Sequence, residues 1–476
     1  MREWDSQTTD PGGVTAISRW SSAATPPVDV PQNHAHPGGM VESVATSGIP
    51  SGWEAAVKHV LPATLALALL LSLVLGLIAA PLSAADWPQF LGPDRTGIST
   101  ETGLIDTFPA SGPEILWRVP GGVGMSAIAI ADGLAVTLVQ KDDRQWLVAL
   151  DAATGKQKWA SNLAPAYENA MGNGPRATPT LIDGTAYLYT GEGILTAVDL
   201  KSGDIRWSHN VPVDQKVKPS EYGMSCSPLV TDAHVIVTVG APGATLVAFD
   251  RKSGKQAWTA GQGTPAGYSS PALRTLSGVP QVVAFAGNQT LGLNPKTGQP
   301  LWSYPFVTDF SCNTATPLAV NGNLFISSGE NHGCVLLKVP AKTGEVTEVW
   351  SSLDTKSVMR NEWQTSIQLG DHLYGFDNVG SAGPVTHLTC IEAQTGKRVW
   401  QQLRFGKGNL IAADGKLWCS TMAGDLVIVK AHPDGFEELA RAEVIGETRQ
   451  APSLANGRLY LRDGKEIVCV HVKKTK

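Results

Sequence analysis

Residues 147–159 read LVALDAATGKQKW, and close copies of this stretch return along the chain. The copies end in tryptophans that follow one another at intervals of 42 to 51 residues, and the copy before Trp350 is stretched. The equivalent tryptophans are Trp117, Trp159, Trp207, Trp258, Trp302, Trp350 and Trp400. A period of about 40 to 50 residues indicates an architecture built from one repeated supersecondary unit.

One complete unit, RATPTLIDGTAYLYTGEGILTAVDLKSGDIRW, occupies residues 176–207. It contains four short apolar stretches separated by turn signals such as Asp183-Gly184 and Ser202-Gly203. Asp tolerates a positive φ and Gly adopts it freely, so these pairs suit tight hairpins. The unit therefore predicts four antiparallel strands, with the final tryptophan as a wedge between neighbouring units.

Four strands per unit, repeated around a ring, predict an all-β fold, the eight-bladed β-propeller. The eight innermost strands are expected around Ala127, Thr178, Ser227, Ser270, Thr316, Thr365, Asn409 and Ala451. The eighth unit stops after its third strand, so residues 112–119 are predicted to complete it. They would pair with the strand that contains residues 458–462 or 467–471, which joins the two ends of the chain and removes open sheet edges.

The composition of the first 53 residues differs from that of the repeats. Residues 1–53 are rich in Pro, Ser, Thr and Gly and show no hydrophobic periodicity, which predicts a disordered extension. An alternative is a translation start at Met40. The net charge of the chain is −5 and 17% of its residues are charged, which argues against nucleic-acid binding through a basic surface.

An export signal follows this extension. Residues 54–85 place Lys58 before a 20-residue apolar run, 61–80, and end in small residues. This layout predicts a signal peptide cut after Ala85, or a transmembrane anchor helix if the run is retained. Residues 86–476 form the propeller domain, which is expected in the periplasm or anchored to the membrane facing it.

The six cysteines are Cys226, Cys312, Cys334, Cys390, Cys419 and Cys469. None are adjacent, none form a CxxC pair, and none have zinc spacing with histidine. Although export permits disulfides, the cysteines are expected to be free, buried residues that do not staple the fold.

The repeat LVALDAATGKQKW resembles that of the pyrroloquinoline-quinone (PQQ) enzymes, the quinoprotein alcohol dehydrogenase-like propellers. The resemblance covers about residues 86–472. The stretches DWPQFLGPDRTGIS (86–99), AGYSSPAL (266–273) and residues 408–445 are similar to an exported bacterial subgroup of PQQ-like repeat proteins. The repeat itself marks packing, and non-enzymes share it, including the propeller subunit of the outer-membrane β-barrel assembly machinery.

The resemblance implies a test for catalysis. The enzymes of this family hold Ca²⁺ and PQQ with Glu, Asn and Asp ligands, a stacking Trp and a disulfide between adjacent cysteines. This chain has no Cys-Cys pair. Its candidates are Trp363 for stacking and, as oxygen ligands, Glu362, Asn313, Asp309, Glu330 and Asn331. No catalytic residue can be assigned from them.

These observations favour a non-catalytic binding or scaffold module at the cell envelope, with a protein or envelope polymer as its partner and with no cofactor or metal. The alternative is a PQQ-dependent alcohol or sugar dehydrogenase, which would need PQQ and Ca²⁺.

Aligning the eight units also places one residue per blade at the start of each inner strand. These residues, the axial rung, are Met125, Arg176, Ser225, Tyr268, Thr314, Trp363, Lys407 and Arg449. If the axial rung faces the central funnel, three cations and two aromatic rings line one mouth and suit an anionic or planar ligand. The candidate ligand-binding residues are Arg176, Tyr268, Trp363, Lys407 and Arg449. Alternatively, the cations pair with nearby carboxylates such as Glu362 or Glu447.

Overall fold

A computed structural model describes residues 86–380 and 385–475. These residues form eight four-stranded antiparallel sheets, which confirms the predicted eight-bladed propeller. The predicted disordered segment, 1–53, and the predicted signal or anchor segment, 54–85, lie outside the described residues. Within the described ranges, no helix combines the length and the apolar character needed to cross a bilayer.

Strand β1, Ile115–Pro120, precedes the first complete blade. Blades one to four consist of Ala129–Ala131, Leu134–Lys141, Arg144–Asp151 and Gln157–Pro165 (β2 to β5); Thr180–Ile182, Thr185–Tyr189, Ile194–Asp199 and Ile205–Asn210 (β6 to β9); Leu229–Val230, His234–Ala241, Ala244–Asp250 and Gln256–Ala260 (β10 to β13); and Ala272–Leu276, Val279–Phe285, Gln289–Leu293 and Pro300–Pro305 (β14 to β17).

Blades five to seven consist of Leu318–Val320, Asn323–Ser328, Gly333–Lys338 and Thr347–Leu353 (β18 to β21); Ile367–Leu369, His372–Val379, Val385–Glu392 and Arg398–Gln402 (β22 to β25); and Gly408–Ala413, Lys416–Thr421, Asp425–Lys430 and Glu438–Glu443 (β26 to β29). Blade eight contains Ser453–Ala455, Arg458–Arg462 and Glu466–His471 (β30 to β32) together with β1. A single-turn helix, Val211–Asp214 (α1), and two 3₁₀ turns, Asp309–Ser311 and Asp354–Lys356, lie in connections between blades.

Blade eight is closed by the two ends of the described chain. Strand β1 pairs antiparallel with β32, so that Trp117 lies opposite Cys469 and Val119 lies opposite Ile467. This confirms the predicted closure and places β1 beside the strand nearest the C-terminus. Since β32 would otherwise be an unpaired edge, the pairing protects it from other chains.

Most of the repeated tryptophans join one blade to the next, as the sequence predicted. Five of their indole N–H groups donate to backbone carbonyls of the following blade at 3.0–3.3 Å, those of Trp117, Trp159, Trp207, Trp350 and Trp400. For four of these five, a glycine in the last turn of the following blade lies under the ring: Gly155, Gly203, Gly254 and Gly396. At Gly155, where φ is +72°, an added Cβ would lie 2.8 Å from the indole of Trp117. The glycine is therefore required both for the turn and for this close approach.

The indole N–H of Trp258 has no hydrogen-bond partner among the described residues, although Gly298 lies under its ring. Trp302 departs further from the pattern. It is only 4% exposed, and its indole N–H donates to Oε1 of Gln281 in its own blade at 2.6 Å. The next blade carries the stretched copy of the repeat, whose Gly344 has only Pro340 near its Cβ position. The longer turn thus removes the usual seat for the ring, and Trp302 folds back onto its own sheet.

A second set of inter-blade contacts lies close to the axis. Backbone N–H groups of several inner strands donate to the hydroxyl at the equivalent position of the next blade. These pairs are Ala127 to Thr178, Thr178 to Ser227, Ser227 to Ser270, and Thr316 to Thr365, at 2.9–3.1 Å. We call this set the hydroxyl girdle. It explains why Ser or Thr recurs at the start of the inner strands, because each hydroxyl satisfies a buried backbone donor.

The first described residues close one end of the propeller axis. In this plug segment, residues 86–99, the backbone of Trp87 exchanges hydrogen bonds with Ile130 of blade one at 2.8–2.9 Å. The N–H of Ser99 donates to the carbonyl of Ala412 in blade seven at 2.8 Å. The plug segment therefore crosses the ring. The sequence pattern does not predict this role, because the segment lies outside the repeat.

Arg95 anchors the plug segment at the axis. Its side chain donates to the carbonyls of Ser227 and Pro271 at 2.9–3.0 Å and to the hydroxyl of Thr180 at 3.2 Å, which belong to three successive blades. Burial and the nearby Arg274 lower the pKa of Arg95 to about 9. Because backbone carbonyls rather than carboxylates surround it, the guanidinium ties three blades together without an ion pair.

Replacing Arg95 by Ala is expected to destabilise the protein by about 3 kcal/mol, because several buried carbonyls would lose their donors. Denaturant unfolding followed by tryptophan fluorescence measures the change. The matched control is Lys158→Ala, which breaks an exposed 3.0 Å pair with Asp151 and should cost less than about 1 kcal/mol. Equal destabilisation by the two variants would contradict the role given to Arg95.

All six cysteines are free thiols in the structure, as expected, and five of them are buried. A reducing agent should therefore leave the melting temperature unchanged within about 1 °C, as measured by circular dichroism with and without the reductant. A fall of several degrees would show that at least one pair is bridged.

Candidate functional site

The axial rung and the plug segment lie at opposite ends of the inner strands. The eight inner strands are equivalent in the repeat and run in the same direction around the axis. The plug segment contacts their later residues, such as Thr180 and Ala412, whereas Arg176 and Lys407 precede these by four and five positions. We call the end that carries the axial rung the mouth. The mouth face consists of the connections from each outer strand to the next inner strand, together with the turns between the second and third strands of each blade.

The predicted cations and aromatic rings converge at the mouth. Nζ of Lys407 lies 4.5 Å from the ring centroid of Trp363, and Cζ of Arg449 lies 4.8 Å from the same centroid. Trp363 precedes blade six and Arg449 precedes blade eight, so their contact passes over blade seven near the axis. A cation near an aromatic ring is attracted by its quadrupole, which holds these three side chains together.

Lys407 forms a close charge pair with Glu362. Its Nζ lies 2.8 Å from Oε2 and 3.1 Å from Oε1 of the carboxylate. Burial raises the pKa of Glu362, and the hydrogen bond from Lys407 opposes this rise without cancelling it. The Lys407 contact matches the alternative in which a rung cation pairs with a neighbouring carboxylate.

Arg176 holds the connection between blades one and two over the mouth. Its Nε donates to the carbonyl of Tyr222 at 2.7 Å, and its terminal nitrogens donate to the carbonyls of Gly172, at 2.8 Å, and Gly174. Its guanidinium lies 4.6 Å from the ring centroid of Tyr167. Burial lowers the pKa of Arg176. The side chain thus directs its donors to the protein backbone.

Arg449 reaches the same connection from the other side of the mouth, since its terminal nitrogen donates to the carbonyl of Met171 at 2.8 Å. Tyr268 lies at another part of the mouth, before the first strand of blade four. Its ring stacks on Tyr222 at 5.7 Å, its hydroxyl accepts a hydrogen bond from the Tyr222 N–H at 3.3 Å, and burial raises its pKa to about 12. The structure therefore brings the five predicted residues to one mouth.

The candidate oxygen ligands for a calcium-bound quinone have other contacts. The side-chain amide of Asn313 is fully buried, donates to the carbonyls of Ala286 and Phe306 at 2.7 and 3.2 Å, and lies 3.2 Å from the hydroxyl of Thr308. Asn331 accepts a hydrogen bond from the Gly380 N–H at 3.0 Å.

The remaining candidates do not complete a ligand set. The Asp309 carboxylate is largely exposed, and Glu362 faces a lysine. Within residues 86–380 and 385–475, no three His, Cys, Asp or Glu side chains are grouped so as to hold a metal ion. Because the side chains of Asn313, Asn331, Asp309 and Glu362 face protein groups or solvent, these four residues do not fit a Ca²⁺-bound PQQ.

The mouth face also carries a feature that the sequence pattern does not reveal. Among the described residues, four large apolar side chains are more than 60% exposed, and all four lie in its connections: Val213 (66%), Val307 (71%), Phe310 (71%) and Leu403 (61%). Single apolar residues in loops give no periodic signal, so they become visible only once the connections are assigned to one face.

Eight closed blades with tryptophan–glycine joints define a propeller of the PQQ-like repeat class. The family model described as "Outer membrane protein assembly factor BamB" matches residues 94–221 and 143–402. The chain belongs to this family.

Relatives in this family are of limited similarity. The outer membrane protein assembly factor BamB of Moranella endobia (strain PCIT) is 28% identical over 171 residues, which are 35% of this chain and 42% of the relative. The corresponding protein of Bordetella pertussis (strain Tohama I) is 25% identical over 46% of this chain and 54% of its own length. The chain thus spans about half the length of the curated BamB relatives it matches.

Among solved structures, BamB from Moraxella catarrhalis aligns with a TM-score of 0.53 and 16% identity, over 75% of this chain and 99% of that one. Quinohemoprotein alcohol dehydrogenase from Comamonas testosteroni aligns with a TM-score of 0.59 and 14% identity, over 84% and 83%. At these identities the likeness establishes the fold, which a scaffold protein and an enzyme share.

The raised pKa of Glu362 predicts a specific pH dependence. The folded protein binds this proton more tightly than the unfolded chain, whose carboxyl has the ordinary pKa of 4.5. The free energy of unfolding should therefore contain a component that is present at pH 4.5 and declines as the pH rises through the folded pKa. Denaturation of the wild type and of Glu362→Gln across pH 4.5–7 should show that the variant lacks this decline. Parallel curves would contradict it.

Proposed function

We propose that this protein is an exported, non-catalytic binding module of the cell envelope that docks a protein partner through its mouth face. Its family and its relatives named as outer membrane protein assembly factors support a scaffold role. Export is supported by the leader-like sequence of residues 54–85. Docking to a protein is supported by the exposed apolar side chains of the mouth face.

The observation that carries the proposal is the position of the most exposed apolar side chains. Val213, Val307, Phe310 and Leu403 lie on three connections of the mouth face, where water would otherwise cover them. By contrast, exposed apolar residues on the outer strands are less exposed, such as Ile205 at 49%. Exposed apolar side chains grouped on one face are typical of protein–protein contacts, in which a few large residues carry most of the binding free energy.

The axial rung fits a supporting role on this face. Arg176 braces the connection above the mouth, and Lys407 pairs with Glu362. The side chain of Arg449 donates one hydrogen bond, to Met171, within the described part of the chain, so an anionic group of a partner that reached the axis would meet its remaining donors. No contact of the described residues at the mouth favours oxidation of an alcohol or a sugar, the alternative function.

Photo-crosslinking tests the docking proposal. p-Benzoyl-phenylalanine is placed at positions 213, 307, 310 or 403 of the full-length chain in its native host, and in matched strains at positions 205, 349 or 399 of the outer strands. Irradiation is expected to yield a discrete protein adduct from the mouth-face positions, identified by mass spectrometry. The absence of adducts, or equal adducts from the outer strands, would overturn the proposal.

Titration with PQQ and Ca²⁺ tests the non-catalytic part of the proposal. We expect no saturable change in the quinone absorbance and no dye-linked oxidation of alcohols or sugars, because the oxygen ligands and the pair of adjacent cysteines are not in place. Stoichiometric binding with turnover would contradict it.

A further inference from the structure

Hydrogen bonds from neighbouring segments fix the base of the connection between blades four and five, residues 306–313. The buried amide of Asn313 donates to the carbonyls of Ala286 and Phe306, which fixes both ends of the connection. The N–H of Asp309 donates to Nε2 of His332 at 3.1 Å, and the hydroxyl of Ser328 donates to the carbonyl of Cys312 at 3.1 Å. This connection, the Phe310 loop, is therefore rigid at its base.

The tip of the Phe310 loop has an unfavourable local conformation. Phe310 and Ser311 have φ values of +55° and +56°, in the left-handed region that residues other than glycine rarely adopt. The Phe310 ring is also 71% exposed to solvent. The positive φ values and the exposed ring both cost free energy in the isolated protein. Backbone strain of this kind persists where the surrounding structure enforces it, often at binding sites. A bulky aromatic ring held out in this way is preorganised for a contact.

Several carboxylates lie near the base of the loop. The pKa of the Cys312 thiol is raised to about 11, first by burial and then by four nearby acidic residues, Glu330, Glu221, Glu362 and Asp309. Of these, Glu221 is exposed and Asp309 has a largely exposed carboxylate. The apolar tip therefore rises from a region of negative potential, whereas Arg176 and Arg449 lie on the other side of the mouth.

We propose that Phe310 is the anchor of the docking contact, and that it enters an apolar pocket rimmed by Lys or Arg side chains on the partner protein. This inference rests on the proposed function of the mouth face. A preorganised aromatic side chain loses little freedom on binding and is a frequent hot spot. The acidic surroundings select a basic rim, since like charges at an interface are repulsive.

A peptide library displayed on phage tests the chemistry that the Phe310 loop recognises. The intact protein is panned against random 12-residue peptides, and the affinities of the selected peptides are measured by fluorescence anisotropy. We expect enrichment of peptides with a cluster of apolar residues flanked by Lys or Arg. Enrichment of acidic peptides, or of peptides without a charge bias, would overturn the proposal.

Substitutions at position 310 test whether Phe310 contacts the selected peptides. Phe310→Ser should weaken the selected peptides about tenfold or more, and Phe310→Leu should weaken them less, because part of the apolar contact remains. The matched control, Ile205→Ser on an outer strand away from the mouth face, should change the affinity less than about twofold. Equal losses in Phe310→Ser and Ile205→Ser would contradict the anchor. Both positions are exposed, so an unchanged melting temperature confirms that the variants fold.

Charge variants separate the acidic rim from the apolar tip. The double change Asp309→Asn and Glu221→Gln should weaken binding about threefold at low salt and reduce its salt dependence. An unchanged salt dependence would exclude the basic rim. If position 310 yields no crosslinked adduct while 213 and 403 do, the anchor is wrong and the docking function stands. If no mouth-face position yields an adduct, both the Phe310 anchor and the docking function are wrong.

Discussion

The contact between the indole of one blade and the turn glycine of the next sets how neighbouring blades meet. A side chain at Gly155 would collide with the ring of Trp117, and the indole N–H needs the carbonyl of Ala152 in the same turn. Near the axis, the hydroxyl girdle fixes the inner strands in the same way. Contacts at both the outer and the inner radius leave little freedom in the angle between blades, and eight similar angles close the ring. The convergence of the axial rung depends on this regularity.

Much of the fold could be predicted because the sequence repeat determines the number and pairing of the strands. The spacing of the tryptophans, the Asp-Gly and Asn-Gly turns and the incomplete last unit were sufficient to predict eight blades and their closure. The same register aligned Arg176, Trp363 and Arg449, which the structure brings to one mouth. Residues in equivalent positions of a repeat lie at the same level along the propeller axis, whatever their chemistry.

The parts that could not be predicted lie outside the repeat. The plug segment has no copy elsewhere in the chain, so no pattern indicates that Arg95 reaches the axis. The carbonyls that accept from Arg176 belong to irregular connections, which explains why its partners are backbone atoms rather than the carboxylates expected. Trp302 departs from the wedge role because the following turn is longer, a change visible in the sequence but without a predictable outcome. Phe310 required the three-dimensional assignment of its connection to the mouth face.

The two ends of the axis differ in the kind of group that holds each cation. At the plug end, Arg95 and Arg274 are buried among carbonyls, and burial lowers the pKa of each. At the mouth, cations lie against aromatic rings, a carboxylate and loop carbonyls. The first arrangement locks blades together, whereas the second leaves a charged surface that another molecule can approach.

The pairing of β1 with β32 has a consequence for how the molecule is made. Arg118 and Glu466, which meet across this pair, are separated by 348 residues. At synthesis rates of 5–20 residues per second, β1 leaves the ribosome roughly 20–70 s before its partner exists. Throughout that time the first strand has no sheet to join, and the growing row of blades has an open side. Until β32 emerges, the nascent chain therefore carries an unpaired strand that is open to premature pairing.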